Sequence, residues 1–391
     1  MSDPTRPVNV GLIGWGNFSS HIHEQTIRDL IAAGRIELGA VCVRNPDRRQ
    51  AILDRLPAAT GTPDYRQVLD DPAIDAVVIG APQEVQARYA IEAIEAGKWV
   101  YVEKPFFCEE ADTGVDPAAF VSQLRALGAP ARERLAIGLN KRFAPAYREL
   151  RELCQQWGGA RHLQMTIIDD AWRWGAKYPP GFLMWLDACH WLDLARWFTG
   201  AEIARVSCLH PQVEDSQVTL VMTDASLCTV FLSGNGTMDM LKEELRVVSA
   251  GRRCATVTDY IEMEVFGGER VDRRRYGANQ QNGGDPAYTA RIEAGGLDAF
   301  KAIRREQFDH FQASRAADPA GDEQVKRNIP NFMRPQGWRE SLWSFIDSVA
   351  TDTPLQNNAS FEDAWIAYQL LDVTRRSEAA DGAFVDAGLS P

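Results

Sequence analysis

The segment Gly14-Trp15-Gly16-Asn17-Phe18-Ser19 follows a short apolar run, Val8 to Ile13, and leads into residues with helical spacing. Two glycines at such a junction suit a phosphate group. The first permits a tight turn from strand to helix, and the second lets backbone N–H groups approach a pyrophosphate at the helix start. Serine stands at the third position of the pattern, where a small side chain still allows helix–strand packing. A glycine turn without a ligand is the plain alternative, and the β-α-β units that follow favour a dinucleotide over it. The end of the second strand should then meet the adenosine ribose. An acid there would accept hydrogen bonds from the ribose hydroxyls of NAD. Here Val43 takes that place and Arg44 follows. A guanidinium can grip a 2′-phosphate with two hydrogen bonds. NADP is therefore expected ahead of NAD, against the alternative that Arg44, Arg48 and Arg49 form a solvated turn.

Other polar groupings carry less. His21-x-His23-Glu24 has a metal-like look, but residues two apart do not share a helix face. Nucleotide contact or solvent exposure is the expected role of these histidines. Asp169-Asp170 could bind metal or do acid–base work. A turn ahead of the aromatic segment Trp172 to Trp197 is the simpler reading.

The elements that must position such groups alternate at first. Strands are expected at Val8 to Ile13, Ile36 to Val43, Ala76 to Ile79, Trp99 to Val102 and Leu135 to Leu139, with helices between them. That order predicts a parallel sheet covered on both faces by helices. After about residue 140 the pattern changes. A helix at 144–157, a strand at 162–168 and a helix at 184–198 lead into several strands between Ile203 and Phe266 without intervening helices. Consecutive strands of this kind suggest an antiparallel sheet. Helices return at 298–314, 338–349 and 361–376. The stretch from Phe266 to Gly296, with its Arg273-Arg274-Arg275 run, shows no periodicity and reads as a long loop. The expected division is a dinucleotide-binding domain at 1–139 and a second domain, rich in strands, at 140–391.

Composition narrows the partners. The 391 residues carry 42 Lys and Arg against 54 Asp and Glu, a net charge of −12, so nucleic acid and anionic membrane surfaces are not expected partners. No apolar run is long enough to span a bilayer, and the start has no apolar signal-peptide core. The seven cysteines are scattered and form no CxxC pair, which fits reduced thiols in a cytoplasm and no structural metal.

Several longer segments carry a resemblance. They are Val10-Gly-Leu-Ile-Gly-Trp-Gly16, Asp75-Ala-Val-Val-Ile-Gly-Ala-Pro82, Ala93-Ile-Glu-Ala-Gly-Lys-Trp-Val-Tyr-Val-Glu-Lys-Pro105, Asn140-Lys-Arg-Phe-Ala-Pro145, His190-Trp-Leu-Asp-Leu-Ala-Arg-Trp-Phe-Thr-Gly200 and Ser360-Phe-Glu-Asp-Ala364. In these the chain resembles the glucose–fructose oxidoreductase, inositol dehydrogenase and MocA family (Gfo/Idh/MocA) along nearly its whole length. The Glu-Lys-Pro tripeptide after its strand is the most specific piece. The resemblance implies an N-terminal Rossmann domain, a C-terminal α/β domain on a large, mostly antiparallel sheet, a nicotinamide cofactor, and a sugar or polyol substrate. It also implies a homodimer or homotetramer formed through the open sheet face.

Site residues follow by the same resemblance. Gly14, Trp15, Gly16, Asn17, Phe18, Arg44, Ala81, Pro82, Glu103 and Lys104 would line the cofactor. Lys104, Asn140, Arg142, Trp172, Asp187 and His190 would face the substrate. Lys104 would meet the substrate hydroxyl, and His190, whose ordinary pKa is near neutral, would take or give the proton. Two positions depart from the family. Gln86 stands where a histidine is frequent, and Leu186 where an aspartate is frequent; Asp187, three residues before His190, shares its helix face instead. The expected activity is hydride transfer between NAD(P) and a secondary alcohol or ketone. Its rivals are a dinucleotide-binding regulator without turnover, and a reductase of an imine or a conjugated double bond.

Overall fold

Six short apolar runs pair into one sheet. They are β1 (Val8–Ile13), β2 (Ile36–Cys42), β3 (Thr60–Thr62), β4 (Ala76–Ile79), β5 (Trp99–Val102) and β6 (Leu135–Ile137), in the order β3-β2-β1-β4-β5-β6. Every pairing is parallel. Strands covered on both faces carry no polar alternation, and β4 and β5 are buried at each residue. This computed structural model describes residues 6–56, 58, 60–107, 116–170, 187–212, 214–237, 239–277, 286–317 and 334–389.

Contacts divide the chain into two units. One runs to Phe143 and includes Gly337–Tyr368; the other comprises Ala144–Gln336 and the residues from Gln369 on. The expected domains were consecutive blocks split after residue 139. The return of 337–368 to the first unit has a visible cause. The helix Trp338–Thr351 buries Leu342, Phe345, Ile346 and Val349 in the same core as Val10, Leu12, Tyr101 and Ala136. Side chains of this size, fully buried, contribute about 1.5–3 kcal/mol each.

Two ends of β5 are tied by charged groups. The helix Gln83–Glu95 stops at Gly97, whose φ of +78° suits glycine, and the chain turns into β5. The ammonium of buried Lys98 donates to the carbonyls of Asp71 at 2.6 Å and Ile74 at 2.9 Å. Burial lowers its pKa from the ordinary lysine value.

The second unit is built on nine strands. These are β7 (Ala160–Ile168), β8 (Ile203–Gln212), β9 (Asp215–Met222), β10 (Leu227–Ser233), β11 (Glu243–Ser249), β12 (Cys254–Thr258), β13 (Glu262–Phe266), β14 (Asp272–Arg275) and β15 (Val385–Asp386). Their order is β14-β13-β12-β11-β7-β10-β9-β8-β15, and β7 with β10 is the one parallel pairing among them. Burial alternates along β9 and β12, the mark of a sheet with one covered face. The helix Cys189–Thr199 packs on β7 and ends at Gly200 in the left-handed region.

The stretch from Phe266 to Gly296 is not one loop. It holds the edge strand β14 and the start of the helix Pro286–Ala317, which kinks at Gly296; residues 278–285 lie outside the described residues. No apolar alternation marks β14 because its residues are charged, a common device on sheet edges. Arg273 pairs with Glu264, Arg274 with Glu149 and Arg275 with Glu262.

Candidate active site

The glycine turn sits where the strand order reverses, between β1 and β4, which is where ligands collect in such sheets. Gly14 has φ +71° and donates its N–H to Cys42 O at 3.0 Å. A Cβ there would lie 2.6 Å from Ala81 Cα and 2.8 Å from Ala81 N, so the position excludes any side chain. At Gly16 a Cβ would meet nothing within 4 Å, so the backbone there faces open space. Asn17 opens the helix Asn17–Ile22, and Phe18 packs edge-on against Trp338. The Trp15 indole belongs to the core, leaving its backbone for any ligand. Ser19, the stand-in for a third glycine, is buried, and a Cβ on Gly80 would fall 2.0 Å from its hydroxyl. The strand opposite has thus given up its side chain where the helix kept one.

Beyond Gly80, Ala81 and Pro82 lead into the next helix, with Pro82 at its N-cap. Buried Gln86 donates to Ala81 O at 3.0 Å. This glutamine therefore secures the turn beside Gly14.

At the ribose end, Val43 is buried and Arg44 is exposed. Asn45 caps the following helix by accepting from Arg48 N at 2.8 Å, and Arg49 donates to Val43 O at 2.7 Å. Burial pushes the Cys42 thiol up to about 11, so it stays neutral near pH 7. Asp64, whose charge reinforces that shift, caps its own helix by accepting from Arg66 N at 3.0 Å.

The end of β5 presents Glu103, Lys104 and Pro105, with a cis peptide between the last two. Glu103 is buried, and its Oε1 lies 2.5 Å from His23 Nε2. Its Oε2 accepts the Lys104 N–H at 3.3 Å. Lys104 itself is half-buried. His23 is therefore neither exposed nor free for a nucleotide, contrary to expectation. The short helix Asn17–Ile22 carries it inward onto Glu103, a pairing across 80 residues that spacing along the chain does not reveal. Glu24 is buried too, bonded to Arg55 and Arg28.

Asn140 and Arg142 lie in the buried 3-10 turn Asn140–Phe143 of the same unit. Arg142 Nη2 meets Asp363 Oδ2 at 3.0 Å. Asp363 also accepts from Ser360 N, while Ser360 Oγ accepts from Asp363 N, a reciprocal cap on the helix Phe361–Ala379. The Arg142 guanidinium thus serves that helix start.

The second unit holds a separate charged cluster. Asp187 Oδ1 stands 3.8 Å from His190 Nε2, and both residues begin the helix Cys189–Thr199 or directly precede it. His190 is buried. Lys242 Nζ meets Asp169 Oδ2 at 2.7 Å, and both feel the Asp187 charge. Burial favours the neutral acid at Asp169, yet the Lys242 ammonium outweighs it and holds the carboxyl below its usual range. Burial likewise opposes the Lys242 charge, and Asp169 with Asp187 outweighs it, holding the ammonium above its usual range. The backbone of Lys242 is fixed as well. Its N–H donates to Asp259, which is itself buried against Arg334 Nε at 2.7 Å. Lys242 escaped the sequence reading. Its one signal there was rarity, since only Lys98, Lys104, Lys141, Lys177, Lys242, Lys301 and Lys326 are lysines. Trp172 lies outside the described residues. Among the described residues no group of His, Cys, Asp and Glu is placed to hold a metal ion.

The fold and the glycine turn together define a Rossmann nucleotide-binding unit followed by an α/β unit on a mixed, mostly antiparallel sheet. Residues 8–120 match the family model described as an oxidoreductase family with NAD-binding Rossmann fold (GFO_IDH_MocA). Over these residues the chain is similar to this Gfo/Idh/MocA family. Inositol 2-dehydrogenase 4 of Saccharopolyspora erythraea is 29% identical over 229 residues, covering 58% of this chain and 63% of that relative. The chain thus spans somewhat under two thirds of the length of that relative. Among solved structures, scyllo-inositol dehydrogenase from Lactobacillus casei with NAD(H) and scyllo-inositol is 17% identical, with TM-score 0.66 over 98% of this chain and 100% of that one. Levoglucosan dehydrogenase in complex with NADH and L-sorbose is 16% identical, with TM-score 0.68 over 99% and 100%. At such identities these two structures share the fold.

Proposed function

We propose that the protein is an NAD(P)-dependent dehydrogenase acting on a secondary alcohol or ketone of a sugar, polyol or related metabolite. The open backbone at Gly16, set at the reversal of the parallel sheet with Lys104 ending the next strand but one, carries this reading. A nicotinamide dinucleotide fits the cradle, since a Cβ-free turn and exposed Arg44 suit its phosphates. When bound, it would accept or supply the hydride. The absence of an acid at Val43, with exposed Arg44 following it, favours NADP over NAD. Lys104 would hydrogen-bond the reacting hydroxyl and stabilise it as its proton leaves. His190 would accept that proton, and Asp187 would orient the imidazole or a substrate hydroxyl. The relatives named for inositol, and the neighbour bound to L-sorbose, support a polyhydroxylated substrate.

Self-association through the second sheet is part of the proposal. Arg205, Val221, Leu227, His162, Val248 and Cys254 are successive cross-strand partners, so they share one face. Leu209, Leu227, Phe231 and Val248 are exposed. Sedimentation should give a dimer or tetramer that Phe231→Asp with Val248→Asp dissociates.

The deciding assay follows NADP and NAD absorbance against a panel of inositols, aldoses and ketoses. Turnover with at least one cyclic polyol or sugar is expected, faster with NADP. Tight binding of both nucleotides with no turnover on any member would replace the enzyme by a regulator.

A further inference from the structure

His23 does no work in the function proposed above, yet it is among the most confined polar side chains of the first unit. Its backbone is held at the junction of the helices Asn17–Ile22 and Glu24–Ala32, with its N–H on Ser19 O and its carbonyl accepting from Ile27 N, each at 2.9 Å. Its side chain is 1% exposed, and that of Glu103 3%. The Tyr101 ring packs edge-on at 5.7 Å and the Trp15 indole lies at 6.4 Å. Tyr101 is the titratable ring against the pair, and burial keeps it a neutral phenol. Nδ1 of His23 is buried and has no hydrogen-bond partner among the described residues. A proton placed there would be buried without an acceptor, so the hydrogen belongs on Nε2, donated to Glu103 Oε1. Glu103 then faces two donors, the imidazole through Oε1 and the Lys104 backbone N–H through Oε2. Its own N–H is held by Ile79 O at 3.1 Å. Gly138 leaves it room, since a Cβ there would come within 3.0 Å of Oε2.

We infer that His23 and Glu103 form a buried positioning pair that fixes the root of Lys104. The helix that opens at the dinucleotide turn would thereby also set where the reacting amine stands. The inference rests on the proposed role of Lys104, and its test separates the two. Neither member need touch substrate; each acts through the Lys104 backbone and through the field of the carboxylate, which favours the ammonium form.

With only seven lysines, reductive ¹³C-methylation gives a short set of NMR signals, and Lys104→Arg assigns one of them. Glu103→Gln should lower the titration midpoint of Lys104 by removing the anion. His23→Leu should shift and broaden the same signal, and His23→Gln, which keeps an N–H near the place of Nε2, should restore it. In hydride transfer, His23→Leu should lower kcat by roughly a hundredfold, the scale of a small misplacement. KM for substrate and Kd for NADPH should stay within about twofold, because the His23 side chain is buried against Glu103. An unmoved Lys104 signal and unchanged kcat in folded His23→Leu would overturn the inference. Should that variant not fold, an unmoved Lys104 midpoint in Glu103→Gln would do so. If the wild-type protein transfers no hydride with any substrate, the dehydrogenase reading fails, while the Lys104 titration still decides the pair.

Discussion

The two units hold their buried charges by different means. In the first, one carboxylate meets one imidazole behind the end of a parallel strand, and the further hydrogen bonds of Glu103 run to backbone groups at that strand end. In the second, Asp169 at the end of β7, Lys242 before β11, and Asp187 with His190 at a helix start meet from three elements. Shape therefore governs the first cluster and charge balance the second. For stability, the first unit should be most sensitive to an added side chain and the second to a removed charge.

Lys104→Met tests the strand-end cluster most severely. Hydride transfer should fall on the order of 10²–10⁴-fold, with NADPH still bound as judged by nucleotide fluorescence. Retained activity would detach the strand end from the chemistry. Lys242→Met comes next, because it leaves Asp169 buried beside Asp187. Breaking such a pair costs about 3–5 kcal/mol near neutral pH, measurable by urea denaturation. The sign with pH is specific. In the wild type, the folded pKa of Asp169 is depressed, so its share of stability is present above the unfolded carboxyl value and lost as pH falls through the folded one. The folded pKa of Lys242 is raised, so its share is lost only as strongly alkaline pH passes through that value. Without Lys242, burial raises Asp169 instead, so the deficit should shrink as the pH is lowered toward 4. A deficit independent of pH would mean that charge balance does not govern this cluster.

Gly14→Ala probes shape alone. It forces a Cβ into the Ala81 backbone at positive φ, and a loss of about 1–3 kcal/mol is expected, together with weakened nucleotide binding, by thermal unfolding and titration. Arg44→Ala should have the smallest effect. NADPH affinity should fall about tenfold to a hundredfold, the worth of a charged hydrogen bond, while NADH affinity holds. Equal losses for both nucleotides would remove the phosphate-reading role of Arg44.

Legibility in the sequence followed the same contrast. β1, β4 and β5 were readable to the residue, because strands buried on both faces are bare apolar runs between glycines and polar turns. The glycine turn was legible because its chemistry is local. β3, a three-residue strand of Thr and Gly, and β14, made of charged residues, carry no apolar signal. The His23–Glu103 and Lys242–Asp169 pairs join residues 80 and 73 positions apart in the chain. Only the folded register brings such partners together. The return of helix Trp338–Thr351 to the first core was hidden for the same reason, since its apolar face fits either sheet equally well on paper.

Strand β5 is anchored at both extremities, by the Lys98 ammonium on two carbonyls at its start and by the Glu103 carboxylate on an imidazole at its finish. Between them lie only Trp99 to Val102, a span of roughly 15–20 Å at strand rise. A strand so moored behaves as a ruler with both marks pinned. Loosening Lys98, far from any chemistry, is then felt at the opposite tip, and Lys98→Met offers a remote handle on the reach of Lys104.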